Sequence, residues 1–216
     1  MDVAAIFDVD GTLVTFSLDL RVWRRTLLDL VKRRGFDPGG LDEGSSTQAI
    51  LEAVESQAAH DKFVRLRSEV FALLDRLELE GAASATVFPD AVEVLQRLKS
   101  RGVRLCVVTN SGKAAALQSL KKADLDRFFE FVLTRDDTEK MKPRPEGILK
   151  AIEMLNVRPA DAYYIGDSRY DITAAKQAGA KVVGVATGNY TAERLRSEGA
   201  DVVIGALSEL PEILGV

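Results

Sequence analysis

The stretch VAAIFDVDGT, residues 3–12, decides the fold prediction for this chain. Its apolar half, residues 3–7, contains Val, Ile and Phe, and a glycine follows soon after, which is typical of a buried strand that opens into a turn. Because side chains two positions apart in an extended chain point the same way, Asp8 and Asp10 should share one face where the strand ends. Two carboxylates that close repel each other unless one keeps a proton or a cation lies between them.

This carboxylate pair has a functional and a purely structural interpretation. An ionised nucleophile, a proton carrier and a hard metal ion in one site suit phosphoryl transfer. An Asp-rich turn after a strand is just as common and needs no function. The stretch by itself leaves both interpretations open, and loops further along the chain have to distinguish them.

The composition limits the classes of protein that the chain can represent. Its 216 residues are 46% hydrophobic and 29% charged, which fits a soluble globular protein with a sizeable core. Lys and Arg number 29 against 33 Asp and Glu, a formal net charge of −4. Neither nucleic acid nor an acidic membrane surface is therefore an expected partner, and a small anionic substrate would need a local positive charge or a metal ion.

The single cysteine and the single histidine exclude several kinds of site. Cys106 lies in the apolar run 103–108, so no intrachain disulfide can form and a buried structural thiol is expected. His60 stands at a predicted helix junction and is expected at the surface or as a capping residue, which excludes triads and multi-histidine metal sites. The chain shows no charged leader with an apolar segment behind it and no bilayer-length apolar run, so a cytoplasmic protein is expected.

Residues 16–83 show a helical period and no convincing strand. Apolar residues at spacings of three and four predict three amphipathic helices, the second of them capped by Ser45, Ser46 or Thr47. The small-residue stretch 81–85 is typical of a hinge or linker. We therefore predict a helical cap, residues 16–83, which is inserted after the first strand and has its two crossings at 13–17 and 82–88.

From Pro89 onward, helical and strand patterns alternate. Apolar runs predict strands at 103–109, 131–134, 162–165, 182–185 and 202–204, with amphipathic stretches between them. Fully apolar strands interleaved with helices predict a parallel sheet covered on both faces. The expected fold class is α/β, with residues 1–15 and 84–216 forming a three-layer Rossmann-like core and the helical cap inserted after its first strand.

Three later loops carry polar residues near the ends of predicted strands. Thr109-Asn110-Ser111-Gly112 offers a hydroxyl, an amide and backbone N–H groups to a phosphate, although a plain helix cap explains the tetrad as well. Lys142, held extended by the proline after it, can reach inward or lie in a solvated loop. Asp167 leaves a strand, and Asp171 returns to the same side if a helix starts between them.

These loops should meet at one place, because ligands of an open parallel sheet bind beyond the carboxyl ends of its strands. Together with Asp8, the carboxylates of Asp167 and Asp171 supply the oxygen ligands that Mg²⁺ requires. Each loop is a weak signal alone. Their common position at strand ends makes coincidence the poorer explanation and favours a catalytic site.

The four loops resemble the signature loops of the haloacid dehalogenase-like superfamily, in a layout closest to its phosphoglycolate phosphatase-like branch. The matching motifs are Asp8-Val9-Asp10-Gly11-Thr12, Thr109-Asn110, Lys142-Pro143, and Gly166-Asp167 with Asp171. The resemblance covers nearly the whole chain, while the cap matches only in position and helical character. Many members of that branch continue the first loop with an Asp-Ser pair where this chain has Thr15-Phe16, so substrate and subfamily stay open.

The resemblance implies a Mg²⁺-dependent phosphatase that hydrolyses a small-molecule phosphate monoester, such as a phosphoglycolate-like compound, through an aspartyl-phosphate intermediate. Its partner would be a small phosphorylated metabolite, and the protein would be a monomer or homodimer. The implied site consists of catalytic Asp8, Asp10 and Lys142; substrate-binding Thr109, Asn110 and Lys142; metal-binding Asp8, Asp167 and the backbone carbonyl of Asp10; and Asp171, which would orient Lys142 or a metal-bound water.

Other activities stay open on the same residues. A phosphomutase or another phosphotransferase could use this core with a cap that excludes water. A dehalogenase fits less well because it has no need of Asp10 as an acid and base, and a phosphonatase would need a cap lysine, for which only Lys32 and Lys62 are available. A non-catalytic module that binds a metal or phosphate would not need the proton carrier.

The cap is expected to select the substrate by closing over the site. Its cationic candidates for a second anionic group, such as a carboxylate, are Arg21, Arg24, Arg25, Arg65 and Arg67, each of which alone is more typical of a solvated face. Trp23 is spaced with the apolar positions of its helix and is expected in the core.

Overall fold

The computed structural model describes residues 3–15, 18–188 and 190–216, and these residues form a parallel sheet of six strands flanked by helices. The strands are β1 (Ala4–Phe7), β2 (Arg104–Val108), β3 (Val132–Leu133), β4 (Ala162–Gly166), β5 (Lys181–Val185) and β6 (Val202–Ile204). All neighbours pair in parallel, so the predicted α/β fold class is confirmed.

Helices separate the strands and follow the last of them, in agreement with the predicted alternation, and three of them lie within residues 18–84. They are α1 (Leu20–Arg33), α2 (Thr47–Glu55), α3 (His60–Ser84), α4 (Ala91–Ser100), α5 (Lys113–Lys122), α6 (Glu146–Leu155), α7 (Arg169–Gln177), α8 (Ala192–Ser197) and α9 (Leu210–Ile213). Ser46 caps α2 as predicted, because its hydroxyl accepts the Ala49 N–H at 3.0 Å. His60 is the exposed first residue of α3, also as predicted.

Helices cover the sheet on both faces. Alternate residues of β1 enter different apolar clusters, with Ala5 and Phe7 on one side and Ala4 and Ile6 on the other. The first cluster includes residues of α4, α5 and α9, and the second includes residues of α6, α7 and α8. Burying a side chain as large as Ile6 or Phe7 contributes about 1.5–3 kcal/mol, so this three-layer core holds the sheet edge rigidly.

The order of strands across the sheet is β3-β2-β1-β4-β5-β6. The chain therefore proceeds outward from β1 to β3, returns to the other side of β1 at β4, and proceeds outward again. Phe7 is in register with Val107 on one side and Ile165 on the other. The residues that follow these three consequently emerge at the same edge, next to the point where the order reverses, which is where open α/β sheets bind ligands.

The three helices between β1 and α4 pack around a separate apolar cluster. We refer to α1, α2 and α3 with their connecting loops, residues 18–84, as the helical insertion. Its cluster includes buried Trp23, as predicted, together with Met141 from the loop that precedes Lys142. The Trp23 ring N–H also donates to the Thr47 hydroxyl at 3.0 Å, so that the polar atom of this ring is satisfied.

The predicted linker at 81–85 is wrong for most of its length, since residues 81–84 are the last turn of α3. Small residues fit a helix once packing holds them, and the Lys122 ammonium on the neighbouring α5 donates to the carbonyls of Ala83 and Ala85 at 2.6 and 3.1 Å. Tertiary contact has therefore overridden the low helix propensity of Gly81. The division into core and cap domains stays a prediction.

The two crossings lie side by side. Thr15 N–H donates to the Thr86 carbonyl at 2.8 Å, and Thr86 N–H donates to the Thr15 hydroxyl at 3.0 Å. Two residues of the first predicted crossing, Phe16 and Ser17, lie outside the described residues. The helical insertion thus leaves and rejoins the sheet region through one paired segment.

Several polar contacts hold the helical insertion over the carboxyl edge of the sheet. Arg144 forms a two-pronged ion pair with Glu52 of α2 at 2.8 and 2.7 Å. Buried Gln48 accepts the backbone N–H of Met141 at 2.9 Å. Among the described residues, every helix is too short or too polar to span a bilayer.

Candidate active site

The loop after β1 carries the carboxylate pair of Asp8 and Asp10. Asp8 still belongs to the sheet, because its N–H donates to the Ile165 carbonyl at 2.9 Å. The chain then reverses at Gly11, whose φ of +81° suits glycine, and the Gly11 N–H donates to the Val14 carbonyl at 2.8 Å. Asp8 and Asp10 both line a cavity of about 170 Å³ between the helical insertion and the sheet edge.

The cavity gathers every site residue that the sequence predicted. Its walls include Asp8, Asp10, Thr109, Asn110, Lys142, Asp167 and Asp171. The turn after β1, the loop after β2, the lysine loop and the loop after β4 therefore converge on one volume. Of the alternatives left open for these loops, the solvated-loop interpretation of Lys142 is wrong, since the side chain is 4% exposed.

The Lys142 ammonium lies at the centre of a buried polar network. Its Nζ lies 3.0 Å from Asp8 Oδ1 and 2.6 Å from Asp171 Oδ1, and it donates to the Tyr164 hydroxyl at 2.6 Å. Burial alone would lower the pKa of Lys142, but the carboxylates of Asp171 and Asp8 raise it above the usual value. The ammonium is therefore charged at neutral pH and directed at the predicted nucleophile.

Two neighbouring residues hold Lys142 in place. The Asn110 side chain accepts the Lys142 N–H at 2.9 Å and donates to the Lys142 carbonyl at 3.0 Å. Fully buried Asp171 uses one oxygen for the lysine and the other for the N–H and hydroxyl of Ser168, at 3.0 and 2.6 Å, as a capping box of α7. With both oxygens engaged, Asp171 is suited to orienting Lys142.

Three carboxylates form a cluster that can hold a metal ion. Asp8, Asp167 and Asp171 offer oxygens that all lie within 4.8 Å of one another. A Cβ built on Gly11 would lie 2.5 Å from Asp167 Oδ2, and one built on Gly188 would overlap the same carboxylate. Glycine at both positions therefore makes room for Asp167 beside Asp8. This oxygen-only donor set fits Mg²⁺, and the Asp10 carboxylate lies outside the cluster.

The Asp10 carboxylate accepts a short hydrogen bond from the Ser111 hydroxyl. Burial raises the pKa of Asp10 to about 7, the Ser111 hydrogen bond opposes this rise, and the negative charges of Asp8 and Glu78 add to it. Asp10 can therefore hold or release a proton near neutral pH. Ser111 belongs to a tetrad that the sequence singled out, but its contact with Asp10, 101 positions away, had no local signal.

Burial also raises the pKa of Asp8 to about 6, with Lys142 opposing the rise and Asp171 adding to it. The single positive charge of Lys142 thus compensates only part of the negative charge of the surrounding carboxylates. A divalent cation between Asp8 and Asp167 would supply the missing compensation, which supports the fit of Mg²⁺ to these residues.

A buried ion pair that the sequence did not predict supports the loop after β2. The Arg135 guanidinium, with its side chain 0% exposed, donates to both oxygens of Glu78 at 2.7 Å and also pairs with Asp75. Arg135 further donates to the Asn110 carbonyl at 3.1 Å, and Glu78 accepts the Gly112 N–H at 2.8 Å. Asp75 and Glu78 lie on α3, so this cluster ties the helical insertion to the loop that carries Thr109 and Ser111.

Only one of the five arginines proposed for a second anionic group lines the cavity, and that is Arg24. Arg25 pairs with Glu43 at 2.6 Å, and Arg67 donates to the Glu139 carbonyl at 3.1 Å. The remaining candidates, Arg21 and Arg65, are exposed and do not line the cavity, and the same holds for Lys32 and Lys62.

Comparisons with known proteins match most of the chain. The family model described as haloacid dehalogenase-like hydrolase matches residues 5–185. Pyrophosphatase PpaX of Anoxybacillus flavithermus is 31% identical over 213 residues, which covers 98% of this chain and 96% of that protein. Phosphoglycolate phosphatase 1 of Pseudomonas aeruginosa is 28% identical over 212 residues, which covers 95% of this chain and 77% of that protein.

A solved structure is also similar to this chain over nearly its full length. The crystal structure of a hydrolase from Pseudomonas syringae matches with a TM-score of 0.69 at 25% identity, and the match covers 99% of this chain and 98% of that one. The family match includes most of β1, the helical insertion and the loops that carry Asp10, Lys142 and Asp167. The predicted family is confirmed: this chain is an enzyme of the haloacid dehalogenase-like hydrolases.

Proposed function

We propose that this protein is a Mg²⁺-dependent phosphatase that transfers a phosphoryl group from a small phosphorylated metabolite to Asp8 and then to water. One observation carries the proposal: Asp8, Asp10 and Lys142 meet in one small cavity, where the pKa of Asp10 is about 7. A module that only binds phosphate has no need of a proton carrier beside the nucleophile. The named relatives, a pyrophosphatase and a phosphoglycolate phosphatase, support the same class of reaction.

In the first step, an Asp8 oxygen attacks phosphorus, and the bond from phosphorus to the leaving oxygen breaks. Protonated Asp10 gives its proton to that leaving oxygen and is left ionised. The Lys142 ammonium, 3.0 Å from Asp8, reduces the repulsion between the carboxylate and the phosphoryl oxygens. Thr109 and the backbone N–H of Asn110, which also lines the cavity, would bind those oxygens.

In the second step, water attacks phosphorus, and the bond between phosphorus and the Asp8 oxygen breaks. Ionised Asp10 takes the proton from the attacking water, so both carboxylates return to their starting states. The two opposite proton transfers need a group that titrates near neutral pH, and the raised pKa of Asp10 fits this role.

Asp8 and Asp167 would hold Mg²⁺, together with the backbone carbonyl of Asp10. When bound, the ion neutralises charge on the nucleophile and on the phosphoryl group. Asp171 is assigned to orienting Lys142, because both of its oxygens are already engaged. The helical insertion corresponds to the cap predicted at residues 16–83, and by closing over the core this cap would exclude bulk water from the cavity.

The experiment that tests this proposal is a phosphate-release assay with metal addition and removal. We expect release of inorganic phosphate from pyrophosphate or phosphoglycolate in the presence of Mg²⁺, its loss after EDTA treatment, and recovery when Mg²⁺ is restored. Turnover that is indifferent to the metal would contradict the proposal. Movement of the phosphoryl group to another position of the substrate without free phosphate would favour the phosphomutase alternative instead.

Replacing Ser111 is expected to change the pH dependence of this reaction. Its hydroxyl stabilises the ionised form of Asp10, so Ser111→Ala should raise the pKa of Asp10 above its starting value of about 7. The first step needs protonated Asp10, so kcat/KM should fall as the pH rises through the pKa of Asp10. In the variant, the midpoint of this fall should lie about 0.5 to 1 pH unit higher than in wild type. A pH–rate profile checks this, with exposed Ser100→Ala as the control. An unchanged or lower midpoint would argue against Asp10 as the acid.

A further inference from the structure

We propose that Arg24 is the specificity-determining residue of this site, and that it binds a second anionic group, a carboxylate or a second phosphoryl group, of a small substrate. The inference rests on the proposed function, in which the first phosphoryl group lies against Asp8 and Lys142. It names the substrate class that this cavity accepts.

The charges that line the cavity single out Arg24. Among the described residues, the lining cations are Arg24 and Lys142. Lys142 is paired with Asp8 and Asp171, whereas no carboxylate of the described residues forms an ion pair with Arg24. Arg24 therefore lines the active-site cavity without a counter-ion among the described residues.

The hydrogen bond of the Arg24 guanidinium involves its Nη1 atom and leaves its Nε atom without a hydrogen-bond partner among the described residues. Its Nη1 donates to the Glu43 carbonyl at 3.3 Å, and its Cζ lies 5.4 Å from the centre of the Tyr170 ring. The Nε atom is buried and has no hydrogen-bond partner among the described residues. A buried N–H without an acceptor costs free energy, which an acceptor brought by the substrate would recover.

The shape of the guanidinium edge that carries Nε indicates what it binds. The Nε and Nη2 hydrogens form a planar fork that matches two oxygens of a carboxylate or of a phosphoryl group. Contacts to Glu43 and Tyr170 from two sides fix the plane of the guanidinium, so the fork is already oriented before binding. Lysine at this position would supply the charge without the fork.

The lining of the cavity, of about 170 Å³, combines apolar and polar side chains. Its apolar part includes Leu20, Leu74 and Met141, and its polar part includes the hydroxyl side chains of Ser46 and Thr47. Pyrophosphate and phosphoglycolate, the substrates in the names of two relatives, are both small compounds with a second anionic group.

The test compares substrates that share a phosphoryl group and differ in the second group. Steady-state kinetics with Mg²⁺ would use phosphoglycolate, pyrophosphate and the uncharged-tail compound 2-hydroxyethyl phosphate. For Arg24→Met, we expect KM for the substrate with the matching second anionic group to rise about 10- to 100-fold, with a much smaller effect on 2-hydroxyethyl phosphate. Arg24→Lys should recover part of the loss. A selective loss with phosphoglycolate would identify a carboxylate as the ligand of Arg24. A selective loss with pyrophosphate would identify a phosphoryl group instead.

The control is Arg25→Met, the neighbouring exposed arginine on the same helix, which should leave all three substrates unaffected. Equal effects of Arg24→Met on all three compounds, or no effect on any, would overturn the proposal. Calorimetric binding of phosphonoacetate and methylphosphonate needs no turnover, so it separates this inference from the proposed function. Wild type should prefer phosphonoacetate and Arg24→Met should lose that preference; the same preference in both proteins would overturn the inference even if the enzyme were active.

Discussion

Asp8→Asn is expected to lower kcat/KM for phosphate release on the order of 10⁴-fold or more, because an amide cannot act as the nucleophile that receives the phosphoryl group. The substitution keeps the size of the side chain, and Lys142 retains its contacts with Asp171 and Tyr164. The protein should therefore stay folded while its chemistry stops. Phosphate release and a thermal melt, measured on the same preparation, check both parts.

The exposed residue Asp29 on α1 supplies a matched control, since Asp29→Asn makes the same chemical change away from the cavity. Wild type quenched during turnover should also carry a hydroxylamine-sensitive phosphoryl group, and Asp8→Asn should carry none. Equal slow release by wild type and Asp8→Asn would refute covalent catalysis and support the binding-module alternative.

Arg135→Met is expected to lower the free energy of unfolding by about 3–5 kcal/mol, because it leaves Glu78 buried without its counter-ion. Burial already raises the pKa of Glu78, with Arg135 opposing that rise. The methionine also removes the donor to the Asn110 carbonyl and the link from Asp75 to the loop after β2. Urea denaturation, with the midpoint and slope compared with wild type, measures the loss.

A double variant separates the ion pair from simple loss of packing. Arg135→Met with Glu78→Met should lose less stability than the sum of the two single variants, because neither charge is then left alone. The exposed pair of Arg34 and Glu69 is the matched control, and Arg34→Met should change stability little. If Arg135→Met cost no more than Arg34→Met, the buried cluster would not hold the helical insertion to the loop.

The fold could be predicted because its signals are local. Apolar strands such as β4 and β5 are short runs bounded by turn residues, and β6 has the predicted bounds, 202–204. The linker predicted at 81–85 was wrong because the stretch gives opposing local signals: its alanines favour a helix, whereas Gly81 disfavours one. The packing of α3 against α5 and the lysine from α5 decided the conformation of these residues.

The convergence of the polar loops could be predicted from the sequence, whereas the contacts between remote residues of the site could not. Parallel strands direct their carboxyl ends to one edge, so polar residues after β1, β2 and β4 had to meet whatever the details of packing. Partners such as Ser111 with Asp10, or Arg135 with Glu78, join positions 101 and 57 residues apart. No periodicity or motif relates such positions, and they become visible only when the chain is folded.

By itself, the sequence determined the parallel α/β fold, the helical insertion after β1 and the residues Asp8, Asp10, Lys142 and Asp167, because strand patterns and loop positions are properties of short stretches. The tertiary structure alone decided which of five arginines lines the cavity, which charges are compensated, and how Asp10 acquires a pKa of about 7. Those properties depend on burial and on distances between remote residues, and neither quantity exists before the chain has folded.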